Sequence, residues 1–288
     1  MKEKIKIKSV LIILSICAIL CIAPACNSIE PQIEEDPTTS QLSQESKMAM
    51  AKALSMTENR ADYDSDQIFA NFRACKGGNL KPNYIFRGAS PYLDNARTLV
   101  VNKFLEKHKI KCVISLSEDK ASIDKYINAE NIRDTYFAQN YKDGNIKDTA
   151  LNYSGIDLNN TEHVKRLIQS YYDILNSDGN VYVHCAIGRD RTGVYCAMIE
   201  ALAGASHDEI IDDYMESWKN YSFVSQEETP EIYNSVKQNM ESILKILDNK
   251  KSDKNNRQTN YQDGAIQILK SAGMPEEDIE SFINKIAS

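Results

Sequence analysis

Positive charge is scarce in this chain. Its 288 residues carry 34 Lys and Arg against 41 Asp and Glu, a formal charge of −7. Residues 1–25 hold four of the lysines and one glutamate, so without them the charge falls to −10. A body this acidic repels polyphosphate backbones, which excludes a general nucleic-acid binder and confines any phosphate affinity to a cleft. Long apolar runs are also missing: Val10–Ala23 gives fourteen residues, too few to cross a hydrocarbon layer about 30 Å thick. The seven cysteines follow no metal-ligand spacing and no paired framework. No internal repeat is visible, and neither a metal nor a cofactor is expected.

The N-terminus does carry a signal. MKEKIKIKS supplies four lysines, the apolar run follows, and Ala23-Pro24-Ala25 stands before Cys26, the plan of a secretory signal peptide over residues 1–25. Because Cys26 follows a small residue, the site resembles a bacterial lipoprotein signal, with cleavage before Cys26 and lipid on its thiol. Plain secretion after Ala-x-Ala cleavage and an uncleaved anchor remain open. Residues 26–60 are read as a lipid-anchored or flexible tether; within them 27–47 are polar, acidic and proline-bearing, a stretch that as a flexible chain reaches about 25 Å from its anchor. On this reading the protein is exported and attached to the outer face of a membrane through Cys26, with one globular domain over 61–288 and a polar insertion, DNKKSDKNNRQTNYQDG, at 248–264.

Apolar periodicity predicts helices at 94–108, 161–176, 192–204, 206–219 and 230–248, and strands at 84–88, 110–116, 149–153 and 181–184. Two further short helices flank Gly273-Met274-Pro275 near the C-terminus. Early alternation of strand and helix argues an α/β domain with a central, mostly parallel sheet flanked by helices and a helical C-terminal part.

The chemistry concentrates in VYVHCAIGRDRTGVYCAMIEAL, residues 181–202. A β-branched strand ends at His184-Cys185, a tight loop follows, and a helix begins just past Arg191. Backbone N–H groups of Ala186, Ile187, Gly188, Arg189, Asp190 and Arg191 can converge on an anion at the helix N-terminus. Gly188 lets the loop turn tightly, and the Arg191 fork can hold two phosphate oxygens at once. The field that binds the anion also stabilises a thiolate, which casts Cys185 as a nucleophile facing phosphorus.

VHCAIGRDRTG resembles the His-Cys-x5-Arg-Thr/Ser loop of the cysteine-dependent tyrosine and dual-specificity phosphatases, above all bacterial members whose loop reads His-Cys-x-x-Gly-Lys-Asp-Arg. YIFRGASPY (84–92), IKCVISL (110–116), ALNYSGIDLNN (150–160) and EIIDDYMESWKNY (209–221) extend the likeness over about residues 65–285. Arg189 departs from it, standing where those relatives carry Lys. The resemblance implies Cys185 as nucleophile, Arg191 as phosphate clamp, His184 as the residue that orients the loop and favours the thiolate, and Thr192 as a hydroxyl for the thiolate. It offers two general acids, Asp157 ahead of the helix at 161 and Asp190 inside the loop, with Asp143 and Asp148 as lesser candidates. A phosphomonoester hydrolase acting on phosphorylated protein is the expectation; a phosphoinositide or inositol-phosphate phosphatase, which Arg189 would suit as a second cation, and a non-catalytic phosphate-binding module are the alternatives. Arg87 is expected in a structural ion pair and Cys112 and Cys196 in the core; Cys75, in ACKGG, could be exposed and then able to resolve an oxidised Cys185.

Overall fold

A computed structural model describes residues 57–93, 95–250 and 261–288. The signal segment 1–25, Cys26, most of the 26–60 tether and positions 251–260 of the polar insertion lie outside the described residues. Five strands form one sheet in the order β1-β2-β5-β3-β4: β1 (Arg73–Ala74), β2 (Ile85–Gly88), β3 (Ile110–Ser115), β4 (Lys147–Ala150) and β5 (Asn180–His184). β1 is antiparallel to β2 and the other pairings are parallel; β5 lies at the centre. The helices are α1 (Asp66–Phe69), α2 (Ala96–Lys107), α3 (Lys120–Tyr126), α4 (Tyr136–Lys142), α5 (Thr161–Leu175), α6 (Asp190–Leu202), α7 (His207–Ser222), α8 (Pro230–Lys250), α9 (Tyr261–Ser271) and α10 (Glu276–Ile286).

Strand periodicity divides the core between two faces. Cys112, Ile114, Val181 and Val183 point to the face covered by α5 to α10; Val113 and Tyr182 point to the opposite face, covered by α2 to α4. Burial on both sides makes β5 read as a continuous apolar run. α6 is buried on nearly all sides, because α7 and α9 also pack on it, and its sequence accordingly lacks a polar stripe.

Most expected elements lie within a few residues of their observed bounds. β4 is an exception, spanning Lys147–Ala150 where 149–153 was expected. Asn152 adopts a left-handed φ of 48°, which breaks the extended path, although Leu151 and Tyr153 N–H still bond to Ser115 and Leu116 carbonyls. α3 and α4, which periodicity did not reveal, are seven residues each and start from side-chain caps by Asp119 and Thr135.

Cys75 is buried, not exposed, and its sulfur lies 3.3 Å from that of Cys196 rather than facing Cys185. The Lys76-Gly77-Gly78 turn after it docks on the end of α6: a Cβ on Gly78 would stand 2.3 Å from the Ala203 carbonyl oxygen. Cys196 beside it and burial push the Cys75 thiol upward. Cys112 and Cys196 are core residues, with burial pushing Cys112 up to about 12.

Candidate active site

β5 delivers His184 and Cys185 to the carboxyl edge of the sheet, the loop runs to Arg189, and α6 starts at Asp190. No side chain caps α6, so its first N–H groups remain available to an anion. The loop's own carbonyls are turned away from its concave side. Ser90 N–H donates to Ala186 O at 3.2 Å. The Asn71 amide donates to Ile187 O (3.1 Å) and Gly188 O (3.0 Å). Arg87 donates to Gly188 O (3.1 Å) and Arg189 O (3.4 Å). With four successive carbonyls held outward, the intervening N–H groups face inward, the geometry of an anion nest.

Arg87 occupies the ion pair expected of it. It is fully buried, paired with Asp213 of α7, and close to Ser217 Oγ at 3.4 Å. Arg73 holds the same aspartate at 3.1 Å. Burial opposes ionisation of Asp213, yet Arg73 and Arg87 hold its carboxyl below the usual range. Burial likewise works against the Arg87 charge, and Asp213 overrides it and raises the guanidinium further. The clamp on the loop is therefore a charged one.

Arg191 donates to the Tyr153 carbonyl at 2.9 Å, joining the loop to the 151–160 segment that Arg166 ties down through Leu151 O and Asn152 O. Cys185 and Thr192 are buried, and Thr192 Oγ1 has no hydrogen-bond partner in the protein. His184 is also buried; its pKa is pushed down to about 3, by burial first and also by Arg191, so the ring is neutral. Its influence on the loop is through hydrogen bonding rather than charge.

Ala186, Ile187 and Gly188 lie in the loop between β5 and α6. Arg189 turns its guanidinium away from the loop. It stacks 3.6 Å over Trp218, donates to Ser222 Oγ at 2.7 Å and pairs with Asp190 at 3.2 Å. Asp190 is exposed on the first turn of α6. Asp157 is exposed too, accepting from Asn159 N–H at 2.9 Å in the turn that leads into α5. Asp143 is exposed at the end of α4, whereas Asp148 is half-buried under His184, linked to it through Ser115. Sequence reasoning gave no role to Asn71, Ser115, Asp213 or Ser217: the last three lie in segments that carry the family likeness, 110–116 and 209–221, but only the fold brings any of the four to the site. Among the described residues no group of three or more His, Cys, Asp or Glu side chains could hold a metal ion, and no helix is long and apolar enough to cross a membrane.

A profile of the tyrosine phosphatase family matches residues 69–286. Among solved structures, P. aeruginosa TpbA in a cysteine-to-serine form complexed with phosphotyrosine is similar at 15% identity, covering 59% of this chain and 95% of that one with a TM-score of 0.33. A second structure of P. aeruginosa TpbA is similar at 17% identity over 57% of this chain and 91% of that one, TM-score 0.30. No protein of curated function matches the chain.

Proposed function

This chain belongs to the tyrosine phosphatase family, and we propose that its phosphatase chemistry runs through a phosphocysteine at Cys185. The observation that carries the proposal is the loop itself: four carbonyls held outward by Ser90, Asn71 and Arg87, with a buried cysteine at one end and Arg191 at the other. In the first step Cys185 Sγ attacks phosphorus and the ester P–O bond breaks, the leaving oxygen taking a proton from a general acid. In the second, water attacks the phosphocysteine, the S–P bond breaks, and the acid recovers a proton from that water. Arg191 spans two equatorial oxygens in both steps, and the unpartnered Thr192 hydroxyl is the donor nearest in sequence to serve the departing thiolate.

Two exposed carboxyls, Asp157 and Asp190, compete for the acid's role. The acid is the one whose Asn variant slows an alkyl phosphate far more than an aryl phosphate, since a phenol of low pKa leaves without much help. A phosphorylated protein is the proposed substrate class. The case for phosphoinositides rested on Arg189 as a second cation, and that guanidinium is committed to Trp218, Ser222 and Asp190.

Cys185→Ser is expected to abolish turnover of a phosphotyrosine peptide while vanadate still binds, because serine keeps the loop's shape and lacks the thiolate. Calorimetry with vanadate and a phosphate-release assay, run beside a phosphoinositide, check this. Turnover within tenfold of wild type would remove Cys185 from the mechanism, and wild-type binding without turnover would leave a phosphate-binding module. Attachment to a membrane through Cys26 belongs to the same proposal, on the strength of the Ala23-Pro24-Ala25-Cys26 signal. Labelled fatty acid fed to an expressing bacterium is expected to enter the wild-type chain and not Cys26→Ala; equal labelling of both rejects the anchor.

A further inference from the structure

Beneath the nucleophile lies a run of short polar contacts. His184 Nδ1 is 3.2 Å from the Cys185 carbonyl oxygen, and its Nε2 is 2.8 Å from Ser115 Oγ. Ser115 Oγ is in turn 2.7 Å from Asp148 Oδ2 and 2.8 Å from the Tyr92 hydroxyl. The run leaves the loop, crosses from β5 to β3, and ends on β4.

Counting protons fixes its direction. A carbonyl can only accept, so Nδ1 carries the hydrogen that faces Cys185 O. The ring is neutral, with its pKa near 3, so Nε2 is bare and must accept. The one proton of Ser115 therefore goes to Nε2. Ser115 Oγ is then left with lone pairs toward Tyr92, which donates to it, and toward Asp148. A carboxylate at Asp148 would set bare oxygen against bare oxygen at 2.7 Å; a carboxylic acid supplies the missing proton.

We propose that Asp148 is a positioning residue for the phosphatase reaction: as a neutral acid it donates to Ser115, Ser115 donates to His184, and His184 clamps the Cys185 carbonyl, a clamp that ionisation of Asp148 releases. The inference rests on the phosphocysteine reading for its kinetic arm only. The surroundings of Asp148 agree with it. Its Oδ1 is buried and has no partner, so a second bare oxygen would go unsatisfied. Burial, the largest influence, and Glu118 push its carboxyl up to about 8, against the Ser115 hydrogen bond and Lys120. Tyr92, His184, Glu118 and Lys120 are the titratable groups that face it, from the segment before α2, from β5, from the β3–α3 turn and from α3 respectively.

The sign follows. Below about pH 8 Asp148 is neutral and the clamp is set. Above it, the Ser115 proton turns to the carboxylate, Nε2 loses its donor, and the ring gains by moving its proton to Nε2, which bares Nδ1 opposite Cys185 O.

The test uses the full chain, as wild type, Asp148→Asn and Asp148→Ala. kcat/KM is measured from pH 6 to 10 on an aryl and an alkyl phosphate, and the imidazole nitrogens of the four histidines are followed by 15N NMR. The Asn amide donates to Ser115 at every pH, so Asp148→Asn is expected to move the basic limb upward by about one pH unit, equally for both substrates. In the same variant His184 is expected to keep a bare Nε2 to pH 9, where wild type has changed tautomer. Asp148→Ala is expected to lower kcat by about tenfold with KM little altered. An unmoved basic limb together with an unmoved His184 spectrum overturns the relay. A selective loss on the alkyl phosphate overturns it differently, by making Asp148 the proton donor to the leaving group. If wild type turns over neither ester, the phosphatase reading fails, and the NMR arm alone still decides the relay.

Discussion

A methyl group at Gly188 has nowhere to go. The residue has φ of +69°, and a Cβ would lie 2.1 Å from the Gly88 carbonyl oxygen, so strand β2 and the loop meet backbone to backbone. Gly188→Ala is expected to lower the unfolding free energy by about 1–3 kcal/mol and to weaken vanadate binding more than any change at half-buried Ala186 or Ile187. Urea unfolding and calorimetry check both; an unchanged vanadate affinity would separate the loop's shape from its function. At this scale the sequence spoke clearly for the groups proposed to meet phosphate. Cys185, Gly188 and Arg191 are close in the chain, and the chemistry demands those residue types. It was silent on what holds them, since Asn71 and Gly188 are separated by 117 positions and an asparagine without a motif is indistinguishable from a turn residue.

Elements of ten residues or more were legible because periodicity accumulates over several turns: α5, α7 and α8 lie within a few residues of where their apolar stripes put them. α3 and α4 were not, since seven residues hold two turns and no stripe can establish itself; their caps Asp119 and Thr135 are evident only in the structure. What joins elements at the site is Arg87, reaching from β2 to Asp213 on α7 and to two loop carbonyls. A lysine keeps the charge and cannot span all three. Arg87→Lys is expected to raise the vanadate Kd by about tenfold, equivalent to losing one charge-assisted hydrogen bond, with a change in unfolding free energy of about 1–2 kcal/mol. A variant that binds vanadate as wild type does would show that Asn71 and Ser90 suffice to hold the loop.

For the molecule as a whole, the alternation of strands and helices was enough to give a mostly parallel sheet with helices on both faces. It could not show that Cys75 is buried, because that follows from a glycine turn docking on the far end of α6, a contact across more than a hundred residues. The placement of β5 carries one more consequence. As the middle strand, paired on both edges and covered on both faces, it cannot fray separately from the rest. Its amides are expected to exchange with deuterium only through global unfolding, and heat is expected to extinguish turnover and far-ultraviolet ellipticity at the same temperature. A catalyst built on an edge or a lid would lose its activity first and its fold afterwards; here the proposed nucleophile, Cys185, is expected to last as long as the sheet does.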